Sequence, residues 1–236
     1  MLGAIAANRR RGGGAPAYPL SLSPFIWFDP SDMSTLFQDT GGTTAVTADG
    51  QSVARINDKS GNARHATQAT STKRPVFRDS GGLRWLEFDG VDDFLSTGSF
   101  GRAQAFTAGA AALFDSGSGI GNVFSDGASG ALMGGTLGSA YRMYAGVTLS
   151  GGTRDAAAHT MIGTFNGSSS ELVVDTTSYT GSAGTSAMAT GLYLGAAGTG
   201  GQCLDGRCYQ FIGIPGILDA TGKTDLTNWL KPFAGL

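Results

Sequence analysis

Short apolar runs that end at glycine, asparagine or aspartate recur along most of the chain, and this pattern constrains the fold more than any other feature. Glycine accounts for 39 of the 236 residues, well above the roughly 7% of an average protein. No collagen period is present, and a hydrophobic content of 41% argues against a disordered chain. Many short strands joined by tight turns are therefore predicted.

Nine runs have the composition of β-strands, and turn-forming residues separate them. They lie at residues 24–29, 53–56, 84–88, 106–114, 141–145, 159–165, 171–175, 191–195 and 204–214. Asn166 and Gly167 form a strong hairpin signal between two of these runs. Because no helical period lies between the runs, the sequence predicts an all-β sandwich with one apolar core over residues 24–230. Such a sandwich is expected to contain about ten strands or more.

One short amphipathic helix is predicted at the C-terminus. Leu226, Trp229 and Leu230 are spaced so that they share one helical face. Thr224 is predicted to cap the start of this helix, and Pro232 is predicted to end it. We expect the helix to pack at the edge of the sandwich.

Residues 1–22 differ in composition from the rest of the chain and are predicted to form a flexible N-terminal arm. They contain Arg9, Arg10 and Arg11, followed by three glycines and two prolines. Such a segment has too little apolar area to fold by itself. Two interpretations are open, a disordered tail or an arm that becomes ordered against a partner subunit. In the second, the three arginines anchor the chain by pairing with acidic groups on a scaffold.

Charge and hydropathy exclude several classes of partner. The formal net charge is −2 and only 14% of residues are charged, so no basic face for nucleic acid is predicted. No apolar stretch is long enough to span a membrane. The apolar start of the chain precedes the arginines, which reverses the charge order of a secretory signal. We therefore expect a cytoplasmic origin and free thiols at Cys203 and Cys208.

Five stretches, together with Leu36-Phe37 and Arg74-Pro75, resemble a known family. They are residues 27–32 (Trp-Phe-Asp-Pro-Ser-Asp), 57–68 (containing Asp-Lys-Ser-Gly-Asn), 86–95 (containing Phe-Asp-Gly-Val-Asp-Asp), 191–195 and 204–206. The chain resembles the LamG-like, concanavalin A-like jelly-roll domain of virion proteins of tailed phages. The resemblance covers roughly residues 23–234, and we place the domain at residues 23–236.

The resemblance implies an antiparallel jelly-roll β-sandwich on a virus particle. The implied roles are tail fibre, head fibre or capsid decoration, with surface glycans as targets. Implied partners are other virion proteins, reached through the arm, and two further copies of the chain if it forms a homotrimer as fibres commonly do. Assembly would take place in the host cytoplasm. A free-standing lectin and a glycoside hydrolase are the alternative functions.

No catalytic residues are predicted. Enzymes of the concanavalin A-like fold that cleave sugars usually carry two glutamates two positions apart, whereas Glu87 and Glu171 are each alone. The chain has no Gly-x-Ser-x-Gly nucleophile motif and no His-x-x-x-His motif. We therefore expect a protein without enzymatic activity.

Trp85 and Glu87 form the first candidate ligand-binding pair. If Leu86 and Phe88 face the core, strand alternation points Trp85 and Glu87 to the other side of the sheet. An exposed indole beside a carboxylate would suit a sugar. The alternative is that Trp85 packs beneath a loop or the C-terminal helix.

Asp89, Asp92 and Asp93 form a candidate metal site, because carboxylate oxygens are the ligands that Ca²⁺ prefers. Asp58 could join them if loops gather at one end of the sandwich. A solvated turn is the alternative, with charge balanced by Lys59 or Arg64. No cofactor is otherwise expected.

Residues 107–112, Thr-Ala-Gly-Ala-Ala-Ala, are small for a central strand. Small side chains leave room for the close approach of another element, such as a neighbouring subunit.

Overall fold

The computed structural model of the chain describes residues 18–115, 119–127, 130–135, 140–199 and 201–236. This part of the chain forms seventeen short strands and one α-helix, α1 (Ala220–Leu230). The strands, numbered in chain order, are β1 (Ile26–Phe28), β2 (Leu36–Phe37), β3 (Arg55–Ile56), β4 (Ala66–Thr67), β5 (Val76–Ser80), β6 (Leu83–Asp89), β7 (Leu95–Ser96), β8 (Phe106–Phe114), β9 (Gly121–Ser125), β10 (Leu132–Gly135), β11 (Tyr141–Tyr144), β12 (Thr148–Gly151), β13 (Ala158–Phe165), β14 (Ser170–Val174), β15 (Thr177–Gly181), β16 (Tyr193–Leu194) and β17 (Asp205–Pro215).

Two antiparallel sheets form the sandwich. The first sheet has the strand order β15-β14-β13-β8-β17-β6-β5, and β1 also pairs with β17. The second sheet has the order β12-β11-β10-β9-β16-β7-β4-β3-β2. The predicted fold class, an all-β antiparallel sandwich with one short C-terminal helix, is confirmed for the described residues.

An inner core lies between the two sheets and is rich in phenylalanine. The rings of Phe106 and Phe165 stack with their centroids 4.6 Å apart. The rings of Phe124 and Phe211, one from each sheet, lie 4.9 Å apart. Aromatic pairs at these separations add to the apolar area that the strands bury.

A second apolar cluster, here called the outer core, covers the opposite face of the first sheet. Its buried members are Trp27, Trp85, Ala111, Leu113, Ile162, Tyr209, Ile212, Ile214, Leu226, Leu230 and Ala234. The prediction of a single core is therefore wrong. The first sheet is buried on both faces because α1 lies across it, and the predicted position of the helix at an edge is corrected to this face.

The small residues on the outer face of β8 are explained by this helix. All nine residues of β8 are buried, with Ala108, Ala110 and Ala112 facing the inner core and Ala111 facing the outer core. A Cβ atom on Gly109 would lie 2.9 Å from a methyl carbon of Leu226. The element that approaches β8 closely is thus the chain's own helix.

The N-cap of the helix lies five residues earlier than predicted, at position 219 instead of 224. Asp219 is its N-cap, and its Oδ1 accepts the N–H of Gly222 at 2.7 Å. Thr224 lies inside the helix, where its hydroxyl donates to the carbonyl of Ala220 at 2.9 Å. Pro232 follows the helix in a 3₁₀ turn over Lys231–Ala234, consistent with its predicted role at the helix end.

Residues 18–22 of the predicted arm pack against the domain. The ring of Tyr18 lies 5.7 Å from that of Trp229, and Leu20 and Leu22 contact the outer core. The candidate anchoring residues Arg9, Arg10 and Arg11 lie outside the described residues.

Both cysteines are buried and free, as predicted for Cys203 and Cys208. Within the described ranges, no helix combines the length and apolar character needed to cross a bilayer.

Candidate functional site

Trp85 does not present its ring to solvent. It is 7% exposed and belongs to the outer core, with its ring 5.8 Å from that of Tyr209. The guanidinium carbon of Arg207 lies 4.9 Å from its ring centroid. The interpretation of Trp85 as an exposed sugar platform is therefore wrong, because the face of β6 opposite Leu86 is also covered.

Glu87 is held by a neighbouring strand. Its carboxylate accepts a hydrogen bond from Nε of Arg78 on β5, and its side chain is 30% exposed. This ion pair leaves Glu87 beside an arginine and away from any open indole. The pair of Trp85 and Glu87 therefore lacks the exposed indole on which the prediction of a sugar site depended.

The three aspartates of the candidate metal site do converge at the end of β6. One carboxylate oxygen from each of Asp89, Asp92 and Asp93 lies within 4.8 Å of the others. Oδ1 of Asp89 accepts the N–H of Val91 at 2.8 Å. Gly90 has φ +73°, and a Cβ there would lie 2.7 Å from Cβ of Asp205, so this turn requires glycine. Here we call residues 89–93 the acidic loop.

The electrostatics of the acidic loop centre on Asp93. Its side chain is buried and accepts the N–H of Asp89 at 3.2 Å. Burial raises the pKa of the Asp93 carboxyl to about 7, and the carboxylates of Asp89 and Asp92 add to the rise. Nζ of Lys73 lies 3.4 Å from Asp92. Lys73 therefore balances part of the charge that was expected to be balanced by Lys59 or Arg64.

The oxygen spacing in the acidic loop fits a calcium ion. Two oxygens bound to one Ca²⁺ at about 2.3–2.6 Å lie no more than about 5 Å apart. Asp89, Asp92 and Asp93 would supply the carboxylate ligands, and the Ca²⁺ site stays a prediction.

Asp58 lies away from the acidic loop. Its carboxylate accepts the N–H groups of Trp27 at 2.9 Å and Arg64 at 3.0 Å. Lys59 pairs instead with Asp29 at 2.7 Å and Asp32 at 2.8 Å. The family-like stretch at residues 57–68, which follows β3, is thus bonded to β1 and the turn after it.

A groove that the sequence analysis did not identify lies between α1 and the β5–β6 hairpin. Its volume is about 600 Å³. It is lined by Ser31, Asp79, Gly82, Leu83, Arg84, Asn228, Trp229, Pro232 and Phe233. Sites of about 300–1,000 Å³ with apolar walls and a few fixed polar groups are typical of small-molecule binding. Here we call this the aromatic groove.

The hairpin side of the aromatic groove is built by a two-glycine turn. Gly81 and Gly82 have φ +63° and +82°, the left-handed conformation that a tight hairpin turn requires. The turn places Asp79 directly opposite Arg84 in the register of β5 and β6. Nε of Arg84 donates to Asp79 at 2.8 Å, and its Nη1 donates to the carbonyl of Ser31 at 3.1 Å. These bonds fix a polar edge along the groove.

The helix side of the aromatic groove is apolar except for Asn228. Trp229 is partly exposed, and its ring lies 5.1 Å from that of Phe233 and 5.9 Å from that of Trp27. Edge contacts of this kind hold the indole in place. The sequence carried one signal for this wall, since the aromatic residues Trp229 and Phe233 lie close together on either side of the predicted helix end.

A second, smaller groove of about 240 Å³ lies on the other side of α1. The β14–β15 hairpin forms its opposite wall, and four charged side chains line it: Glu171, Asp175, Lys223 and Lys231. We call it the charged groove. Asn228 lines both grooves.

Comparison with solved structures identifies the fold and no more. The chain aligns with a Trypanosoma rangeli sialidase in complex with 2,3-difluorosialic acid at TM-score 0.60 and 14% identity, covering 94% of the chain and 34% of the sialidase. An arabinofuranosidase complexed with arabinofuranosyl-alpha-1,2-xylobiose aligns at TM-score 0.54 and 11% identity, covering 78% and 51%. The botulinum neurotoxin type G receptor binding domain aligns at TM-score 0.53 and 10% identity, covering 87% and 51%.

The chain thus spans about a third of the sialidase and about half of the other two proteins. No protein-family model and no curated protein matches it. The chain has the jelly-roll-like β-sandwich fold that these solved structures contain.

Proposed function

We propose that this sandwich is a non-catalytic carbohydrate-binding domain and that the aromatic groove is its sugar site. The observation that carries the proposal is the composition of the groove, in which Trp229 and Phe233 face the Arg84–Asp79 pair. An indole ring offers an apolar surface to the C–H face of a sugar ring. Arginine, aspartate and asparagine side chains supply the donors and acceptors that sugar hydroxyls require.

The kinds of molecule that the compared proteins bind support this proposal. A sialidase and an arabinofuranosidase, both solved with sugar-type ligands, share the sandwich fold. A toxin domain that binds a receptor shares it as well. Because one fold hosts many functions, the groove itself has to be tested.

Binding by the purified full chain to a glycan array, followed by calorimetry with the best ligand, tests the proposed function. Trp229→Ala and Arg84→Gln are expected to weaken binding at least about 10-fold, as expected for loss of a central aromatic or arginine contact. Arg78→Gln is a matched control, because Arg78 and Arg84 have 38% and 39% exposed side chains and both are ion-paired. Binding that survives both groove variants would place the sugar elsewhere, and an array without any ligand would reject the function.

The absence of catalysis is part of the proposal. Glu87 and Glu171 are each paired with a cation, Arg78 and Lys223. The acidic loop offers carboxyl oxygens within 4.8 Å, close to the roughly 5 Å used by retaining glycosidases. Asp93, whose raised pKa would suit an acid, is only 5% exposed and does not line the aromatic groove. If the protein released reducing sugar from the bound ligand, and Asp93→Asn abolished that release, the proposal that the domain is non-catalytic would be overturned.

We also propose that the domain is displayed on a bacteriophage particle, as a tail fibre, head fibre or decoration protein. It rests on the family-like blocks at residues 57–68 and 86–95 and on the basic segment that contains Arg9–Arg11. Deleting residues 2–17 is expected to leave a folded sandwich that no longer joins the particle. Cryo-EM maps of particles made with and without the deletion test this, and normal incorporation of the shortened chain would reject the anchoring role.

A further inference from the structure

The charged groove is built by one face of α1 and one hairpin. Ala220, Lys223, Thr224, Thr227 and Lys231 line it from the helix, at spacings of three and four residues that form one stripe. Asp175 and Thr176, the two residues of the β14–β15 turn, line it from the hairpin. Asp175 has φ +55°, an unusual value for a residue with a side chain.

Both carboxylates in the charged groove already have donors. Glu171 accepts hydrogen bonds from Nζ of Lys223 and from the hydroxyl of Ser178. Asp175 accepts the N–H of Thr160 at 2.9 Å and lies 2.6 Å from Nδ1 of His159. Both carboxylates of this groove are therefore held by donors other than Lys231.

Among the described residues, Lys231 is the lysine of the charged groove that has no side-chain partner. Its ammonium group has no hydrogen bond or ion pair with any residue in the described part of the chain. Its side chain is partly buried in the groove wall. A cation in such a position attracts an anionic group more strongly than a fully exposed lysine does, because the surrounding dielectric is lower.

The charged groove and the aromatic groove meet on the helix. Asn228 lines both of them, and it is three residues before Lys231 and one residue before Trp229. Side chains three apart on a helix are neighbours at about 5–6 Å between Cβ atoms. A ligand that fills the aromatic groove can therefore extend past Asn228 and reach Lys231.

We propose that the two grooves form one binding site for an acidic glycan, whose ring packs in the aromatic groove while a carboxylate on the adjoining sugar pairs with Lys231. This inference rests on the proposed function and specifies its ligand class. The aromatic groove itself carries one positive and one negative side chain, Arg84 and Asp79, so selectivity for charge comes from Lys231.

The test is a glycan array in which neutral oligosaccharides are printed beside the same oligosaccharides carrying one sialic acid or one uronic acid residue. Wild-type protein is expected to bind the acidic member of a pair about 3- to 10-fold more tightly, and the preference should shrink as salt concentration rises. Lys231→Gln should bind the acidic member only as well as the neutral one. Lys231→Arg should retain the preference, because the charge is kept.

Lys73→Gln is the charge-matched control, since Lys73 contacts the acidic loop and lines neither groove. It should retain the wild-type preference. Equal binding of both members by wild type, or an unchanged preference in Lys231→Gln, would overturn the acidic-glycan inference while leaving the proposed sugar binding intact. If the wild-type protein bound no glycan on the array, the proposed function itself would be rejected.

Discussion

The inner and outer faces of the first sheet are both buried, but different kinds of neighbour cover them. The inner face packs against a second sheet, through rings such as Phe124 and Phe211. The outer face packs against one helix and the segment at residues 18–22. The inner face is thus closed by many strands, whereas the outer face depends on two short segments near the chain ends. We therefore expect that loss of α1 would expose one face and leave the sandwich itself assembled.

The inner core is expected to show the largest mutational effect. Phe124→Ala removes a fully buried ring that contacts Phe165 and Phe211. Truncation of a buried phenylalanine typically costs about 3–5 kcal/mol. Chemical denaturation followed by far-UV circular dichroism should show this loss. A cost below about 1 kcal/mol would mean that the inner core is not the main source of stability.

The outer core is expected to respond with a smaller and more local change. Leu226→Ala should cost about 3 kcal/mol, because a buried leucine that packs against β8 is lost. All three tryptophans, Trp27, Trp85 and Trp229, lie in or against the outer core. Their fluorescence therefore reports on this face alone.

Tryptophan fluorescence and circular dichroism together can distinguish unfolding of the outer core from unfolding of the whole sandwich. In Leu226→Ala, tryptophan fluorescence should change at lower denaturant concentration than circular dichroism does, because the outer core opens first. In Phe124→Ala the two transitions should coincide. Coincident transitions in both variants would show that the two faces unfold as one unit.

Alternation along residues 84–88 predicted that Leu86 and Phe88 face the inner core, and the bounds of β8 at residues 106 and 114 match the predicted run. The sequence left open whether Trp85 is exposed or packs beneath a loop or the C-terminal helix, and the structure confirms the packed alternative. Strand alternation could not decide between them, because the covering segment lies more than a hundred residues later. The aromatic groove was missed for the same reason. Asp79 and Arg84 are brought together by a local hairpin, but Trp229 joins them only through long-range packing.

The acidic loop ends β6, the strand that supplies Trp85 to the outer core and Phe88 to the inner core. If Ca²⁺ binds there, stabilisation should reach about 2.7 kcal/mol at a hundred times the dissociation constant. Thermal melting with Ca²⁺ and with a chelator measures this shift. Asp93→Asn should remove it, whereas Asp49→Asn, an exposed aspartate beside Arg78, should not. An unchanged melting temperature in the wild type would leave the loop as a turn paired with Lys73.

The smallest expected effect concerns His159, which joins two loops at the rim of the first sheet. Its Nδ1 lies 2.6 Å from Asp175 and its Nε2 lies 2.9 Å from Asp155. Burial by itself would lower the pKa of His159, but the two carboxylates outweigh it and the pKa is raised above its ordinary value. Because the folded-state pKa is the higher one, the protonated histidine stabilises the fold fully below the unfolded value of about 6.5. That stabilisation is lost as pH rises through the folded-state pKa.

His159→Gln is therefore expected to lower the melting temperature at pH 5.5 and to have little effect at pH 8.5. Since Asp155 and Asp175 are 59% and 36% exposed, the effect is screened, and it should not exceed about 1 kcal/mol, or about 2–4 °C. His65→Gln is the control, because burial lowers the pKa of His65 and its Nδ1 accepts the N–H of Asp58 at 3.1 Å. An equal loss for His159→Gln at both pH values would show that this side chain acts through packing, including its contact with Tyr141 at 5.3 Å, and not through its charge.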